Sequence, residues 1–215
     1  MRRMLFEKTG TAIWMSHLDT MRLMQRAFRR AGVLLRHSQG YTPHAYVSML
    51  LPLSVGMESV CEIMEYELDT ALEITPEQMN AVLPEGVRVR LVYESERKAK
   101  LLTDLQVRLA LVYDGGRPQG LQDALTELFS RESISVEKRT KRGMEEADIR
   151  PLIRRIAMTP TDDGLTLDCV IAAQNPSLNP MLLISAIERY LPHCKPDFVR
   201  CRRVEVFDEH MEVFR

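Results

Sequence analysis

The stretch SHLDTMRLMQRAFRRAG, from Ser16 to Gly32, decides the first long element of the fold. Ser16 and Asp19 have the spacing of a capping box, with Asp19 in the place of the usual Glu or Gln, and an acid also suits the positive end of a helix. Gly32 suits the position that follows a helix C-terminus. The stretch therefore predicts a helix that begins at Ser16 and ends before Gly32.

This helix has two faces of opposite character. Its apolar face consists of residues that recur at helical spacing, namely Met21, Met24, Ala27, Phe28 and Ala31. Its polar side, which we call the arginine face, consists of Arg22, Arg26, Arg29 and Arg30. Exposed helices usually interleave acids at positions i±4, but only Asp19 is available here. The pattern predicts a helix packed on a core, with concentrated positive charge on its other side.

The segments around this helix predict strands at its flanks and a second, short helix. Thr75 and Pro76 open the short helix as cap and first-turn residue. The strand at 61–68 alternates and is expected to face solvent on one side. The expected strands are residues 2–8, 46–53, 61–68 and 87–93. The order strand, helix, two strands, helix, strand is that of a split βαβ, or ferredoxin-like, fold.

The second half of the chain repeats this order after a charged connector at 94–100. A turn at 161–164 predicts a hairpin between two of its strands. The expected elements are strands at 106–113, 134–138, 149–158, 165–173 and 198–207 and helices at 118–132 and 180–190. The sequence therefore predicts an α+β protein with two tandem ferredoxin-like halves and antiparallel sheets, at residues 1–97 and 104–215.

The charge distribution indicates the kind of partner. The chain has 215 residues and a net charge of −1, whereas residues 1–50 carry eight basic and two acidic residues, or +6, which leaves −7 for the rest. Such an asymmetry favours a phosphate- or carboxylate-bearing partner. A second basic run consists of Lys138, Arg139, Lys141 and Arg142. If both runs faced one groove, the groove would suit RNA, and no DNA specificity is expected.

Other features bound the function class. No apolar stretch reaches the roughly 18 residues of a membrane span, and the four cysteines lack CxxC spacing. We therefore expect a cytoplasmic protein with reduced thiols, no membrane association, no metal and no cofactor. The motifs GxxxxGK[ST], GxGxxG, GxSxG and HExxH are absent, which removes the commonest nucleotide-binding and hydrolase routes.

The loop Gly40-Tyr41-Thr42-Pro43-His44 is the second candidate for function. Gly40 permits unusual backbone angles, and Pro43 fixes its own φ and extends Thr42, so the loop is expected to present Tyr41 and His44. The predicted ligand-binding residues are Lys8, Ser16, His17, Asp19, Arg22, Arg26, Arg29, Arg30, Gly40, Tyr41, Pro43 and His44. None is predicted to be catalytic.

Histidines leave an alternative open. His17, Asp19, His37 and His44 are the His/carboxylate cluster of the chain, and two or three of them could converge as a metal site or an acid–base set. His17 and Asp19 are two residues apart on a helix, which points their side chains to opposite sides and makes a poor chelate. A capping or hydrogen-bonded histidine is the simpler interpretation.

Several motifs together resemble the radical SAM-linked protein family, a family of unknown function. They extend over nearly the whole chain and read Phe6-x-Lys8-x-Gly10, Ser16-His17-Leu18-Asp19, Arg26-Ala27-x-Arg29-Arg30-Ala31-Gly32, Gly40-Tyr41-x-Pro43-His44, Pro52-Leu53-x-x-Gly56-x-Glu58-Ser59 and Asp148-Ile149-Arg150-Pro151. The family usually has Asn where this chain has Thr42, which puts a carboxamide role there in doubt. The resemblance implies a radical SAM partner enzyme, often with a cobalamin-binding domain. This chain lacks the Cys-x-x-x-Cys-x-x-Cys triplet that such an enzyme needs for its cluster, so we expect any radical chemistry in another polypeptide.

These observations lead to three hypotheses. The first is a non-catalytic accessory protein that recognises an RNA or phosphate-rich substrate for a radical SAM enzyme. The second is a metal-free endoribonuclease-like enzyme that uses His17 or His44 as a general base, by analogy of the expected fold with CRISPR repeat-processing endoribonucleases. The third is a protein–protein adaptor whose arginine face docks on an acidic surface.

Overall fold

A computed structural model describes residues 1–69, 73–140 and 143–215 of the chain. The chain divides into two compact units, one made of Met1–Leu101 with Arg215 and the other of Leu102–Phe214. This division lies in the interval 98–103 between the two predicted halves. No helix in the described ranges has the length and apolar content needed to cross a bilayer.

The described residues of the first unit form four strands and two α-helices. In chain order these are β1 (Arg2–Lys8), α1 (His17–Arg30), β2 (Val47–Met49), β3 (Glu58–Tyr66), α2 (Pro76–Asn80) and β4 (Val87–Glu94). The strands lie in the order β4-β1-β3-β2, and each neighbouring pair is antiparallel. Helix α1, with Ser16 as its N-cap residue and Arg30 as its last residue, confirms the helix predicted to begin at Ser16 and to end before Gly32.

Helix α1 packs on the sheet through the face that the sequence predicts. Met24, Ala27 and Phe28 have no exposed surface and share a core with Met4 and Phe6 of β1. Burial of a Met or Phe side chain contributes roughly 1.5–3 kcal/mol. The apolar stripe therefore fixes which side of α1 stays free, and that side carries the arginine face.

The described residues of the second unit form two α-helices and a longer set of strands. Its elements are β5 (Asp104–Val112), α3 (Leu121–Ser130), β6 (Ser135–Thr140), β7 (Gly143–Asp148), β8 (Ile153–Pro160), β9 (Gly164–Ala172), α4 (Met181–Tyr190) and β10 (Phe198–Phe207). The order in the main sheet is β10-β5-β9-β8, again antiparallel throughout, and β6 and β7 form a separate two-stranded sheet. An α+β fold with mostly antiparallel sheet is confirmed.

One local expectation was wrong, and one strand was not predicted. Strand β3 is not half-exposed, because Cys61 and Ile63 on one face and Met64 and Tyr66 on the other are all buried. Glutamates occur on both faces of β3, so the polarity of its residues does not tell which face is exposed to solvent. The strand expected at 134–138 pairs with β7 in the small sheet, and β7 itself was not expected, since its sequence GMEEAD is polar and largely exposed.

Candidate functional site

The start of α1 holds three of the predicted site residues in one hydrogen-bonded group. The Ser16 hydroxyl oxygen accepts a hydrogen bond from the Asp19 backbone N–H at 3.2 Å, and the hydroxyl donates to the Asp19 carboxylate at 2.7 Å. The Arg22 guanidinium donates to the other carboxylate oxygen at 3.3 Å. The bond from Ser16, followed by Arg22, holds the pKa of Asp19 below its ordinary value of 3.8. Helix capping thus accounts for these three residues.

Most basic residues of the first fifty have an acidic or carbonyl partner. Arg2, Arg3 and Arg36 are ion-paired to Glu94, Glu65 and Glu67, with N–O distances of 3.6, 2.7 and 3.0 Å. Arg26, Arg29 and Arg30 differ, because they are exposed and have no ion pair within the described residues. The positive charge that the sequence concentrates at this end of the chain is therefore available at these three arginines.

The position in helix α1 explains why two of the three residues are basic, but it does not explain the third. Arg29 and Arg30 lie in the last turn of α1, where the negative end of the helix dipole favours cations by about 0.3–1 kcal/mol. Arg26 lies a turn earlier and has Arg22 and Arg30 at i−4 and i+4. Like charges at this spacing destabilise a helix. Arg26 is thus the residue of the arginine face that the fold does least to explain.

The loop that carries Tyr41 is closed by its own backbone. The Ser38 N–H donates to the His44 carbonyl at 2.8 Å, and the His44 N–H donates to the Ser38 hydroxyl at 3.0 Å. Gly40 has φ +130°, an angle at which a side chain would be strained. Tyr41, Pro43 and His44 are all exposed, with Tyr41 entirely so at 109%. No hydrogen bond or ion pair in the described ranges joins this loop to the arginine face, so a binding site shared by the two stays a prediction.

Lys8 and His17 come together at a different place. Lys8 is 1% exposed, and its ammonium donates to the carbonyls of Ile13 and Met15 at 3.3 and 2.7 Å. Lys8 lines a small cavity with His17, Thr20 and the buried Glu62, and its volume of about 10 Å³ corresponds to about one water molecule. Lys8 is thus withdrawn from the surface, while His17 is half-buried beside it.

Sequence reasoning missed the two polar residues on the other sides of this cavity. Thr20 lies in the first turns of α1 and donates to the Ser16 carbonyl at 2.9 Å, which hides it among helix-forming residues. Glu62 faces Phe6 across the β1–β3 ladder and is 5% exposed. A buried glutamate in an apolar strand can indicate a site, but the alternation of β3 does not distinguish Glu62 from the half-buried Glu58 and Glu65.

The remaining predicted clusters are not assembled. His37 contacts the Leu35 carbonyl through Nδ1 at 2.8 Å, and the described part of the chain contains no group of three His, Cys, Asp or Glu residues able to hold a metal ion. Of the second basic run, Lys138 faces Glu145 across the β6–β7 ladder and Arg139 is exposed. Lys141 and Arg142 lie outside the described residues.

Comparison with known protein families shows where the chain belongs. A family model described as an uncharacterized protein conserved in bacteria (DUF2344) matches residues 2–180. The chain is a member of the DUF2344 family. All twelve predicted site residues lie inside the matched range. A comparison with curated proteins found no match.

A solved structure shares the fold of this DUF2344 protein. It is a chain in the crystal structure of a Cbf5–Nop10–Gar1 complex, with a TM-score of 0.53 and 9% sequence identity. The match covers 97% of the DUF2344 chain and 50% of the other chain, so this chain spans about half the length of the structure that it matches. At this identity the likeness concerns the fold alone.

Proposed function

We propose that this DUF2344 protein is a non-catalytic recognition protein whose arginine face binds the phosphates of an RNA. The observation that carries the proposal is that Arg26, Arg29 and Arg30 are exposed and have no ion pair among the described residues. A guanidinium group binds phosphate with two parallel hydrogen bonds and stays charged at every physiological pH. Three such groups on one helix form a positive surface with no competing carboxylate of their own.

The loop at 38–44 supports RNA rather than an isolated phosphate ion. An aromatic ring held on the surface by a closed loop is a stacking platform for an unpaired base, and Tyr41 is such a ring. His44 is exposed beside it. Stacking contributes about 1–3 kcal/mol per base and is tolerant of sequence. The protein would therefore bind single-stranded RNA with affinity that comes from phosphates and stacking, not from base-edge contacts.

The test compares two triple variants of equal charge. Fluorescence anisotropy with a labelled single-stranded oligouridylate measures Kd for the wild type, for Arg26→Ala/Arg29→Ala/Arg30→Ala, and for Arg88→Ala/Arg117→Ala/Arg155→Ala, whose arginines are also exposed. We expect the first variant to bind at least about tenfold more weakly and the second to stay within about threefold of the wild type. Equal losses of RNA affinity in both variants would show that binding depends on the net charge of the protein and not on the arginine face. An acidic protein that co-purifies without RNA would favour the adaptor hypothesis.

We further propose that the RNA or phosphate-rich ligand is the substrate of a radical SAM enzyme with which this protein acts. Support comes from the motifs around Ser16–Asp19 and Gly40–His44 that resemble the radical SAM-linked protein family. Purification of the untagged protein from its own host, followed by iron and sulfide analysis of the co-eluting fractions, tests this. Absence of any iron–sulfur protein from those fractions would contradict the partnership while leaving RNA binding intact.

We also propose that each unit is a ferredoxin-like domain, so that the chain is a structural tandem. The support is that β4-β1-β3-β2 in the first unit and β10-β5-β9-β8 in the second are the same order, fourth-first-third-second, once the β6–β7 hairpin is treated as an insertion. An experimental structure with a different strand order in either unit would reject this.

The cavity beside His17 favours a second candidate function. His17 is half-buried at a space of the size of a water molecule, which Lys8 and Glu62 also line, and a positioned imidazole can act as a general base. Incubation of the protein with RNA in the presence of a chelator, beside His17→Ala and His44→Ala, distinguishes the two functions. RNA cleavage by the wild type that His17→Ala abolishes would establish an endoribonuclease. If the wild type does not cleave RNA, this second function is rejected and the recognition function is retained.

A further inference from the structure

A second cavity in the first unit lies away from the arginine face. It has a volume of about 290 Å³ and lies at the end of the sheet where β1, β3 and β4 meet the start of α2. Arg2 of β1 is opposite Tyr66 of β3 and opposite Glu94 of β4 in the two ladders, and all three line the cavity. Its volume is close to the lower end of the range for small-molecule sites.

The hydroxyl of Tyr66 is the feature that points to a ligand. Tyr66 is 2% exposed, its ring packs on Phe28 of α1 at 4.9 Å between centroids, and its oxygen has no hydrogen-bond partner among the described residues. A buried hydroxyl without a partner destabilises a fold, and phenylalanine would fill the same space without that cost. The hydroxyl group therefore has no role in packing, and Tyr66 lines a cavity that can hold a partner for it.

The charges around the cavity define the ligand. Glu94 is ion-paired with Arg2 at 3.6 Å, so the guanidinium is already committed to a carboxylate. Glu73 is exposed at the cavity wall and has no ion pair in the described part of the chain. Burial, together with Glu73 and Glu94 and against the opposing effect of Arg2, raises the pKa of Tyr66 to about 12. One uncompensated carboxylate repels an anion and attracts a cation, and the oxygen of the neutral phenol can accept a hydrogen bond from that cation.

The apolar part of the lining sets the rest of the ligand. Ile74, Pro76 and Val92 line the same cavity and offer no hydrogen-bonding side chain. A ligand that satisfied the hydroxyl and Glu73 with one end would leave a short carbon chain against these side chains. Burial of such a chain is favourable at about 0.8 kcal/mol per methylene in general transfer data.

We propose that this cavity binds a compact organic cation, an alkyl primary amine whose ammonium group donates to the Tyr66 hydroxyl oxygen and to the Glu73 carboxylate. Its carbon chain contacts Ile74 and Val92. This ligand is separate from the RNA of the proposed function, since no arginine of the arginine face lines the cavity.

The test uses four probes of the same size and different charge. Titration calorimetry and thermal melting follow n-butylamine and 1,4-diaminobutane, with butan-1-ol as the neutral and butyrate as the anionic counterpart. We expect at least one amine to bind saturably and about tenfold more tightly than the alcohol, butyrate not to bind, and the Tm to rise by roughly 3–6 °C at ten times Kd. Equal binding of amine and alcohol, or no saturable binding of either amine, would overturn the proposal.

Two variants locate the site, each with a matched control. Tyr66→Phe should bind the amine about tenfold more weakly than the wild type. Without ligand it should melt at the wild-type temperature or above, because only an unpartnered hydroxyl is removed. Glu73→Gln should abolish the preference for amine over alcohol. Tyr46→Phe and Glu85→Gln, both at exposed positions, should behave as the wild type. A Tyr66→Phe protein that melts lower without ligand, or that binds the amine unchanged, would show that the hydroxyl is already satisfied within the fold.

Discussion

Replacement of Arg26 by Glu should stabilise this protein and weaken its RNA binding at the same time. Arg26 is exposed in the middle of the arginine face, with Arg22 four residues before it and Arg30 four residues after it. Each pair of like charges at this spacing destabilises a helix by about 0.2–0.5 kcal/mol. A residue that costs stability in the free protein is expected where the charge serves a ligand.

The size of the effect follows from the two pairs. Arg26→Glu removes two repulsive pairs and creates two attractive ones, each worth a similar amount, so the free energy of unfolding should rise by about 0.8–2 kcal/mol. Glu and Arg have similar helix propensity, and the position is outside the last turn, so neither propensity nor the helix dipole offsets the gain. Arg26→Gln removes the repulsion alone and should gain about half as much.

Urea denaturation at low ionic strength, followed by circular dichroism, measures this change. The difference between Arg26→Glu and the wild type should shrink markedly at about 1 M salt, where the Debye length falls to about 3 Å. A variant that is equally or less stable than the wild type at low salt would refute the reasoning, because the arginines would then not repel one another in the folded protein.

Two further predictions concern groups outside the arginine face. Lys8→Met should lower the free energy of unfolding by about 2–5 kcal/mol, because the 1% exposed ammonium of Lys8 donates to two backbone carbonyls. Lys98→Met, at an exposed position, is the control and should change it by less than about 0.5 kcal/mol. Urea denaturation measures both changes. Asp148 accepts hydrogen bonds from the backbone N–H groups of Ile134 and Arg150 at 2.8 and 2.9 Å, which hold its pKa below 3.8. Its stabilisation is present above the ordinary pKa of 3.8 and is lost as the pH falls through the lowered value, so the deficit of Asp148→Asn should be full at pH 7 and vanish in that acidic range. A deficit that persists unchanged in acid would contradict this assignment.

The sequence predicted best what local chemistry determines. The cap at Ser16, the apolar spacing through Phe28 and the glycine at position 32, which has φ +77°, each act over a few residues, and together they placed α1 correctly. The hairpin turn at 161–164 was equally local, and β8 pairs with β9 around it as expected. Such signals need no knowledge of the rest of the fold.

Features that depend on distant parts of the chain were beyond the sequence. Lys8 looks like one more basic residue near the N-terminus, and only the path of the chain after β1 brings the carbonyls of Ile13 and Met15 to its ammonium. Tyr66 looks like an ordinary core aromatic, and the cavity that it lines exists only because β1, β4 and α2 meet there. The partners that mark a site were thus contributed by other elements.

The salt dependence of RNA binding tests the central claim most directly. For single-stranded nucleic acid the logarithm of the association constant falls with the logarithm of the salt concentration with a slope of about −0.7 per phosphate contacted. Loss of Arg26, Arg29 and Arg30 should therefore make the slope shallower by about 2, whereas the Arg88/Arg117/Arg155 variant should keep the wild-type slope. Identical slopes for all three proteins, or wild-type binding that does not depend on salt, would contradict recognition of RNA phosphates by the arginine face.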